Sequence, residues 1–371
     1  MVKIGIDAKW YFDGPASGKM VIRNLVNEIC KVNNNEFRFY IILDKKCKDL
    51  KLDYENSSVE KVYVWNGNNL LSNVFCVPFI AKKYDLDVVL YQTSVSFFGK
   101  HKKIAYIHDL IYISHPQYYT LIERIYLKPL KLLTRFSDFI ITVSDFEKSR
   151  FRELNFSDKD VEVLHHGFDP RFKDKTEFSK ESLIDVKDKF KLPDNFVLYV
   201  GRINSRKNVP TLIKAFSKVN QPVKLVLVGN KEWKTDNIDS LISELKLSDR
   251  IIQTGPLFGE ELAKVYAIST VFCFPSFEES FGLPPLEAMA SGIPVVVSNS
   301  SSLPEVCGNA AIYVNANEPS EIAKAVTKLL SDNEFYDKYK QLSSERAKSF
   351  SWKNTTQNLI DILETRYVKL K

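Results

Sequence analysis

Two glutamates, Glu279 and Glu287, stand on either side of a Gly-Leu-Pro-Pro corner in the stretch FPSFEESFGLPPLEAMASGIPVV, residues 274–296. Pro284 and Pro285 suit the first turn of a helix, and Gly292 suits the position beyond its end. The backbone amides of Phe281, Gly282 and Leu283 then lie beside a helix N-terminus with its partial positive charge. That makes an anion site, and Gly282 lets a ligand approach the backbone. Carboxylates at its borders accept hydrogen bonds from hydroxyls and repel phosphate. An anion site with a hydroxyl acceptor on each side matches a nucleotide-sugar, which carries ribose, diphosphate and hexose in series. The plainer alternative makes Glu287 a helix-dipole partner and Glu279 a surface charge.

Other stretches add groups of matching chemistry. VGRINSRKN follows the apolar run 196–201 and places Arg202 and Lys207 on a loop leading into a helix near 210. A guanidinium fork and a mobile ammonium suit a diphosphate, with Arg206 placed to substitute for either. A surface-exposed basic turn is the alternative. YIHDLIYISHPQYY puts His108 and Asp109 at the end of the run 103–108, where an imidazole can bond a sugar hydroxyl. In GPASGKM, residues 14–20, Gly14 and Gly18 allow close backbone approach to a ligand, although turns use glycine as well. Their spacing fails the Walker pattern. DLD at 85–87 and DKD at 158–160 resemble metal-holding aspartates. Both precede strands, the wrong end for an active site, so neither a divalent metal nor any other cofactor is expected.

These groups need strands to hold them. Apolar runs at 3–7, 38–43, 87–92, 103–108 and 139–144 alternate with amphipathic helical stretches. A second set follows at 196–201, 224–229, 250–255, 271–276 and 294–298. Continuous apolar strands between helices mean parallel sheets covered on both faces. The Lys/Asp-rich stretch near 173–193 separates two doubly wound α/β domains, 1–188 and 189–350, with 351–371 as a last amphipathic helix. Ligands bind beyond the carboxyl ends of such strands, so loops that follow a strand carry the candidates. The loops at Gly229–Asn230 and Gly255–Leu257 satisfy that rule and are expected to meet a nucleoside.

With 44% hydrophobic and 26% charged residues, the 371-residue chain has the makeup of a globular protein and not of a disordered one. No run approaches the ~18 apolar residues of a membrane span, and MVKIGIDAKW lacks an apolar core of signal-peptide length. Five scattered cysteines, never in CxxC spacing, argue against a disulfide framework or zinc site and for a reducing cytoplasm. The net charge is +6, and residues 100–135 alone carry +5. Within LIERIYLKPLKLLTRF, Arg124, Lys128, Lys131 and Arg135 recur at helical spacing among apolar positions. Either this stripe is the solvated face of a core helix, or it meets an anionic membrane surface. Nucleic acid is not expected as a partner, because no zinc-finger, RRM or KH signature accompanies the charge.

Six stretches together resemble glycosyltransferase family 4, the retaining enzymes of the GT-B fold: PSFEESFGLPPLEAMASGIPVV, VGRINSRKN, FIITVSDFEKSRF, VEVLHHGFD, IHDLIYISHPQYY and the final SFSW. The resemblance spans nearly the whole chain. It implies two Rossmann-like domains facing a central cleft, with the last helix crossing back to the first. It further implies that Arg202 and Lys207 bind diphosphate, that Glu287 binds ribose, and that Glu279 with the Phe281–Leu283 backbone holds the donor sugar. His108 would contact that sugar, and Gly18 and Leu257 complete the expected donor contacts. His108, Glu279, Arg202 and Lys207 are the expected catalytic set. Two departures stand out: LHHGFD has His166 where the family commonly has Asn, and SGKM replaces the frequent Gly-Ile-Gly-Arg-Tyr.

The implied activity is metal-independent transfer of a hexose, first of all mannose from GDP-mannose. The implied acceptor is a saccharide or lipid-linked saccharide in polysaccharide or lipopolysaccharide assembly. The implied place is the cytoplasm or the cytoplasmic face of a membrane. The alternatives are a same-fold nucleotide-sugar epimerase or hydrolase, and a non-catalytic sugar-nucleotide binder at a membrane surface.

Overall fold

The computed structural model describes residues 1–32, 35–54, 59–231 and 237–368. It divides into two compact units, Met1–Gly167 with Ser351–Lys371, and Phe168–Phe350. The expected boundary after 188 therefore lies too late. Residues 168–188 belong with the second unit, where Phe172 packs edge-on against Tyr266 at 5.2 Å and the helix Lys180–Phe190 lies against the helix Gly259–Ile268.

Among the described residues the first unit holds seven strands: β1 (Val2–Asp7), β2 (Phe37–Asp44), β3 (Val59–Val64), β4 (Val88–Gln92), β5 (Lys102–Tyr106), β6 (Phe139–Thr142) and β7 (Val161–Val163). They run in the order β3-β2-β1-β4-β5-β6-β7, with every pairing parallel. β4 is buried at every residue, as strands covered by helices on both faces must be. The helix Trp352–Tyr367 belongs to this unit. Thr355 donates to the His165 carbonyl at 2.8 Å, Arg366 reaches Glu162 at 2.6 Å, and His166 stacks on Trp352 at 5.5 Å. Gly167 permits this docking, since a Cβ there would lie 2.2 Å from the Trp352 amide nitrogen.

The second unit holds β8 (Phe196–Val200), β9 (Lys224–Val228), β10 (Ile251–Gly255), β11 (Val271–Phe274), β12 (Val295–Ser298) and β13 (Ala311–Val314), in the order β10-β9-β8-β11-β12-β13. In both sheets strand order reverses direction between two neighbours, β1 and β4 in the first and β8 and β11 in the second. The loops leaving the two neighbours diverge there and open the crevice in which such sheets bind ligands.

The basic segment departs from expectation. It forms two short helices, Leu121–Leu127 and Leu130–Thr134, because Pro129 has no amide to donate and its ring crowds the preceding turn. Thr120 and Glu123 cap the first helix reciprocally. This helix reaches the core through Leu127 and turns its other apolar side chains to water: Ile122 is 80% and Leu121 66% exposed, Ile125 and Tyr126 are exposed too, and so are Leu132 and Phe136 beyond it. No helix among the described residues is long and apolar enough to cross a membrane.

Candidate functional site

The loops after β8 and β11 hold most of the expected residues, and the neighbourhood of these two strands brings them together. Asn204 and Asn208 shape the first loop. The Asn204 side chain accepts the Lys207 amide at 3.1 Å. Asn208, at φ +59°, donates to the carbonyls of Pro275 and Ala316 at 3.0 and 2.7 Å. Lys207 is thereby turned inward: it is buried, its Nζ lies 4.8 Å from the centre of the Phe274 ring, and it donates to Glu279 Oε1 at 2.5 Å. Arg202 stays exposed at the start of the same loop.

Glu279 is the hub. Its Oε1 also takes the Ser276 hydroxyl at 2.6 Å and lies 3.4 Å from Arg206 Nη1. Burial pushes this carboxyl up. The charges of Lys207 and Arg206, with the bonds from Lys207 and Ser276, outweigh it and hold the group below its ordinary value. Lys207 is lowered to about 7, by burial first and the charge of Arg206 next, against the pull of Glu279.

The helix after this loop is Leu283–Ala290, with Gly282 at its N-cap at φ +103° and no side-chain cap. A side chain at Gly282 would be strained by that φ, and its Cβ would meet Leu303 at 2.7 Å. Pro284 and Pro285 have no N–H, so the first turn offers the Gly282 and Leu283 amides, which make no hydrogen bond among the described residues. The expected anion site therefore rests on fewer donors than a helix start usually presents. Gly292, at φ +71°, follows the helix as expected.

Glu287 has a different partner from Glu279. It is the fifth residue of the helix, just past the first turn, and accepts the Tyr266 hydroxyl at 3.0 Å. Burial raises its carboxyl to about 8 despite that bond, with Asp169 adding to the rise. Near neutral pH it keeps its proton and can both donate and accept.

In the first unit, His108 lies two residues beyond β5 and is partly buried. Its ring stacks on Tyr106 at 4.4 Å and its Nε2 lies 2.9 Å from Gln92 Oε1. Burial lowers it to about 4, so it is neutral near pH 7.

Model matches cover both units. Residues 38–172 match the model described as Glycosyltransferase Family 4, and residues 181–346 match Glycosyl transferases group 1. The O-antigen chain mannosyltransferase B of Escherichia coli is 30% identical over 275 residues, which span 70% of this chain and 69% of that one. The chain belongs to the family 4 glycosyltransferases. The serotype-specific mannosyltransferase WbdA of Escherichia coli is 36% identical over 191 residues, half of this chain but only 23% of that protein. Among solved structures, sucrose-phosphate synthase from Thermosynechococcus elongatus superposes with a TM-score of 0.76 at 19% identity, covering 99% of both chains. Anabaena HepE, solved with UDP and glucose, gives 0.76 at 16% identity, over 98% of this chain and all of that one. These neighbours share the GT-B fold of two Rossmann-like α/β domains.

In this glycosyltransferase the expected glycine loop ends at Pro15, where a helix begins. Gly18 lies in the first turn of the helix Ala16–Ile29, and both Gly14 and Gly18 back onto Trp10, whose ring atoms a Cβ would approach to 2.7 and 2.8 Å. Packing accounts for both glycines. Leu257 follows β10 and is buried. Gly229 is demanded by backbone crowding, since a Cβ would lie 1.9 Å from the Gly201 carbonyl oxygen. The aspartates of DLD and DKD serve local structure: Asp87 accepts the Lys3 amide at 2.8 Å and Asp160 pairs with Arg366 at 3.1 Å.

Sequence reasoning missed the serines that hold Glu279. Ser301 accepts the Glu279 amide at 2.9 Å, Ser302 donates to the carbonyls of Glu279 and Phe281 at 3.0 and 2.9 Å, and Ser298 donates to the Ser276 carbonyl. The signal was present, as SNSSS follows directly on an apolar strand at the edge where ligands bind.

Proposed function

We propose that this glycosyltransferase moves a hexose, with mannose from GDP-mannose the first candidate, to a saccharide or lipid-linked saccharide acceptor with retention at C1. The observation that carries the reading is the junction of Lys207 and Glu279 beside the bare amides of Gly282 and Leu283. It combines a cation and amide donors for a diphosphate with a fixed carboxylate for a sugar hydroxyl. The mannose preference draws on the mannosyltransferases of Escherichia coli to which this chain is similar.

The C1–O bond to the diphosphate breaks through an oxocarbenium-like state while Arg202, Lys207 and the helix N-terminus take up the leaving group's charge. The acceptor oxygen bonds to C1 on the same face, and its proton passes to the leaving phosphate oxygen. Glu287 takes the ribose hydroxyls, and His108 takes a sugar hydroxyl. The charge is met without a divalent ion. Incubating the protein with labelled GDP-mannose and UDP-hexoses tests this, with and without lipid-linked saccharides and with EDTA. Acceptor-dependent label transfer with the α-anomer kept, unaffected by EDTA, is expected. Release of free or epimerised sugar that ignores the acceptor would speak for the hydrolase or epimerase alternative.

We place this chemistry at an anionic membrane surface. Exposed Arg124, Lys128, Lys131 and Arg135 are interleaved with exposed Leu121, Ile122, Ile125 and Leu132. Phe136 extends the apolar area to Phe97 at 6.2 Å, and Phe97 to Phe75 at 6.2 Å. Apolar side chains that enter the headgroup boundary beside cations are what an interfacial helix requires. Wild-type protein is expected to co-sediment with vesicles containing phosphatidylglycerol and not with phosphatidylcholine alone. Ile122→Glu with Ile125→Glu should abolish that binding while the melting temperature holds, because both side chains are already in water. Equal sedimentation of the double variant would refute the placement.

A further inference from the structure

The switch point of the first sheet contains a closed ring of buried polar groups. β1 ends at Asp7 and its neighbour β4 ends at Gln92. Asp7 Oδ2 accepts the Gln92 amide at 3.2 Å, and Asp7 Oδ1 accepts Lys9 Nζ at 2.6 Å. Lys9 Nζ also donates to Asn73 Oδ1 at 2.5 Å, and Asn73 Nδ2 returns to the Gln92 carbonyl at 2.9 Å. Asp7, Lys9, Asn73 and Gln92 are all at most 2% exposed. A buried ion pair adds little net stability over an apolar pair of the same size. What this ring supplies is a clamp on both the N–H and the C=O of one residue.

The clamped residue holds the histidine. Gln92 Oε1 is the atom that faces His108 Nε2 at 2.9 Å, an arrangement that is a hydrogen bond only when the imidazole carries its proton on Nε2. Tyr106 stacks under the ring, His166 lies 5.8 Å away, and Asp109 beside it accepts the Ile111 amide and the Tyr119 hydroxyl at 3.2 and 3.3 Å. His108 Nδ1 makes no hydrogen bond among the described residues.

We propose that Gln92 is a positioning residue: braced by Asp7, Lys9 and Asn73, it fixes His108 as the Nε2–H tautomer and leaves Nδ1 to accept a hydroxyl of the sugar substrate. This rests on the reading of His108 as a substrate contact. A methionine at 92 has no acceptor and frees the ring to exchange tautomers. A glutamate keeps the acceptor but favours imidazolium.

Two measurements test it. Two-bond ¹⁵N–¹H correlation on ¹⁵N-histidine protein, with His108 assigned by its loss in His108→Asn, should show Nε2–H between pH 6 and 8; an Nδ1–H tautomer overturns the proposal without any variant having to fold. In transfer assays Gln92→Met should lose about 10–100-fold in kcat, the range met when a metal-bound histidine loses its orienting partner, with the donor KM little changed. Gln92→Glu should recover most of the rate at pH 8 and lose it as pH falls toward 6, because a carboxylate raises the histidine's pKa; a merely structural role would not move that acid limb. Wild-type kcat in Gln92→Met alongside a crippled His108→Ala overturns the positioning role. Wild-type kcat in His108→Ala removes the substrate contact itself, whichever tautomer is found.

Discussion

Arg202→Ala will cost about 10²–10³ in turnover, because a preformed donor at a developing anion is worth that much. Tyr199 donates to the Arg202 carbonyl at 2.9 Å, a backbone contact that the substitution leaves in place. Lys207→Ala will lose as much in rate but will also loosen the site, since it removes the shortest contact to a buried carboxylate. Glu279 keeps Ser276 at 2.6 Å and Arg206 at 3.4 Å, so its charge stays compensated and the protein still folds. Initial rates with donor and acceptor, read beside melting curves, check both variants. Half of the wild-type rate in Arg202→Ala would remove the arginine from the diphosphate site.

Strands with unbroken apolar runs were legible because burial on both faces leaves no room for polarity. The strands not foreseen were β3, β7 and β13, and all three sit at sheet edges. VEKVYV and VEV mix charge with apolar residues because one side of an edge strand meets water. Strand ends were read too long where a polar or turning residue continued the apolar run: β5 stops at Tyr106, before His108, and β11 at Phe274, before Pro275.

The site was legible as a set of residue types on the right loops, and less so as contacts. Lys207 and Glu279 are 72 positions apart, and only the adjacency of β8 and β11 joins them. From sequence each had its own ligand group; in the fold they spend their charges on each other first. Gly14 and Gly18 misled for a related reason, since glycine marks any close approach and Trp10 is the neighbour here. The basic segment departs from one helix through a residue in plain view: Pro129 lies inside the helical spacing and splits it in two.

Glu279→Gln separates the two duties of that carboxylate. In the wild type Glu279 helps keep a buried ammonium charged, and Lys207 titrates at about 7 even with that help. A diphosphate binds the charged form. Its affinity is therefore fully present below pH 7 and falls as pH rises through 7 toward 10, the nucleotide itself being fully ionised over that range. Glutamine keeps the shape and can still accept from Ser276 and Lys207, but it withdraws the negative charge, so Lys207 drops further and is neutral at pH 7. The expected result is a decline in GDP affinity that begins at lower pH than in wild type. At pH 7 the transfer rate should fall by at least about 10²-fold, because the hydroxyl acceptor is weakened along with the cation. The protein should remain folded, since a lysine that can shed its proton escapes the full cost of an unpaired buried charge. Calorimetric titration of GDP from pH 6 to 9 reads the shift directly. If the rate falls while the pH dependence of GDP binding stays where it was, Glu279 serves the sugar alone and the coupling to Lys207 is wrong.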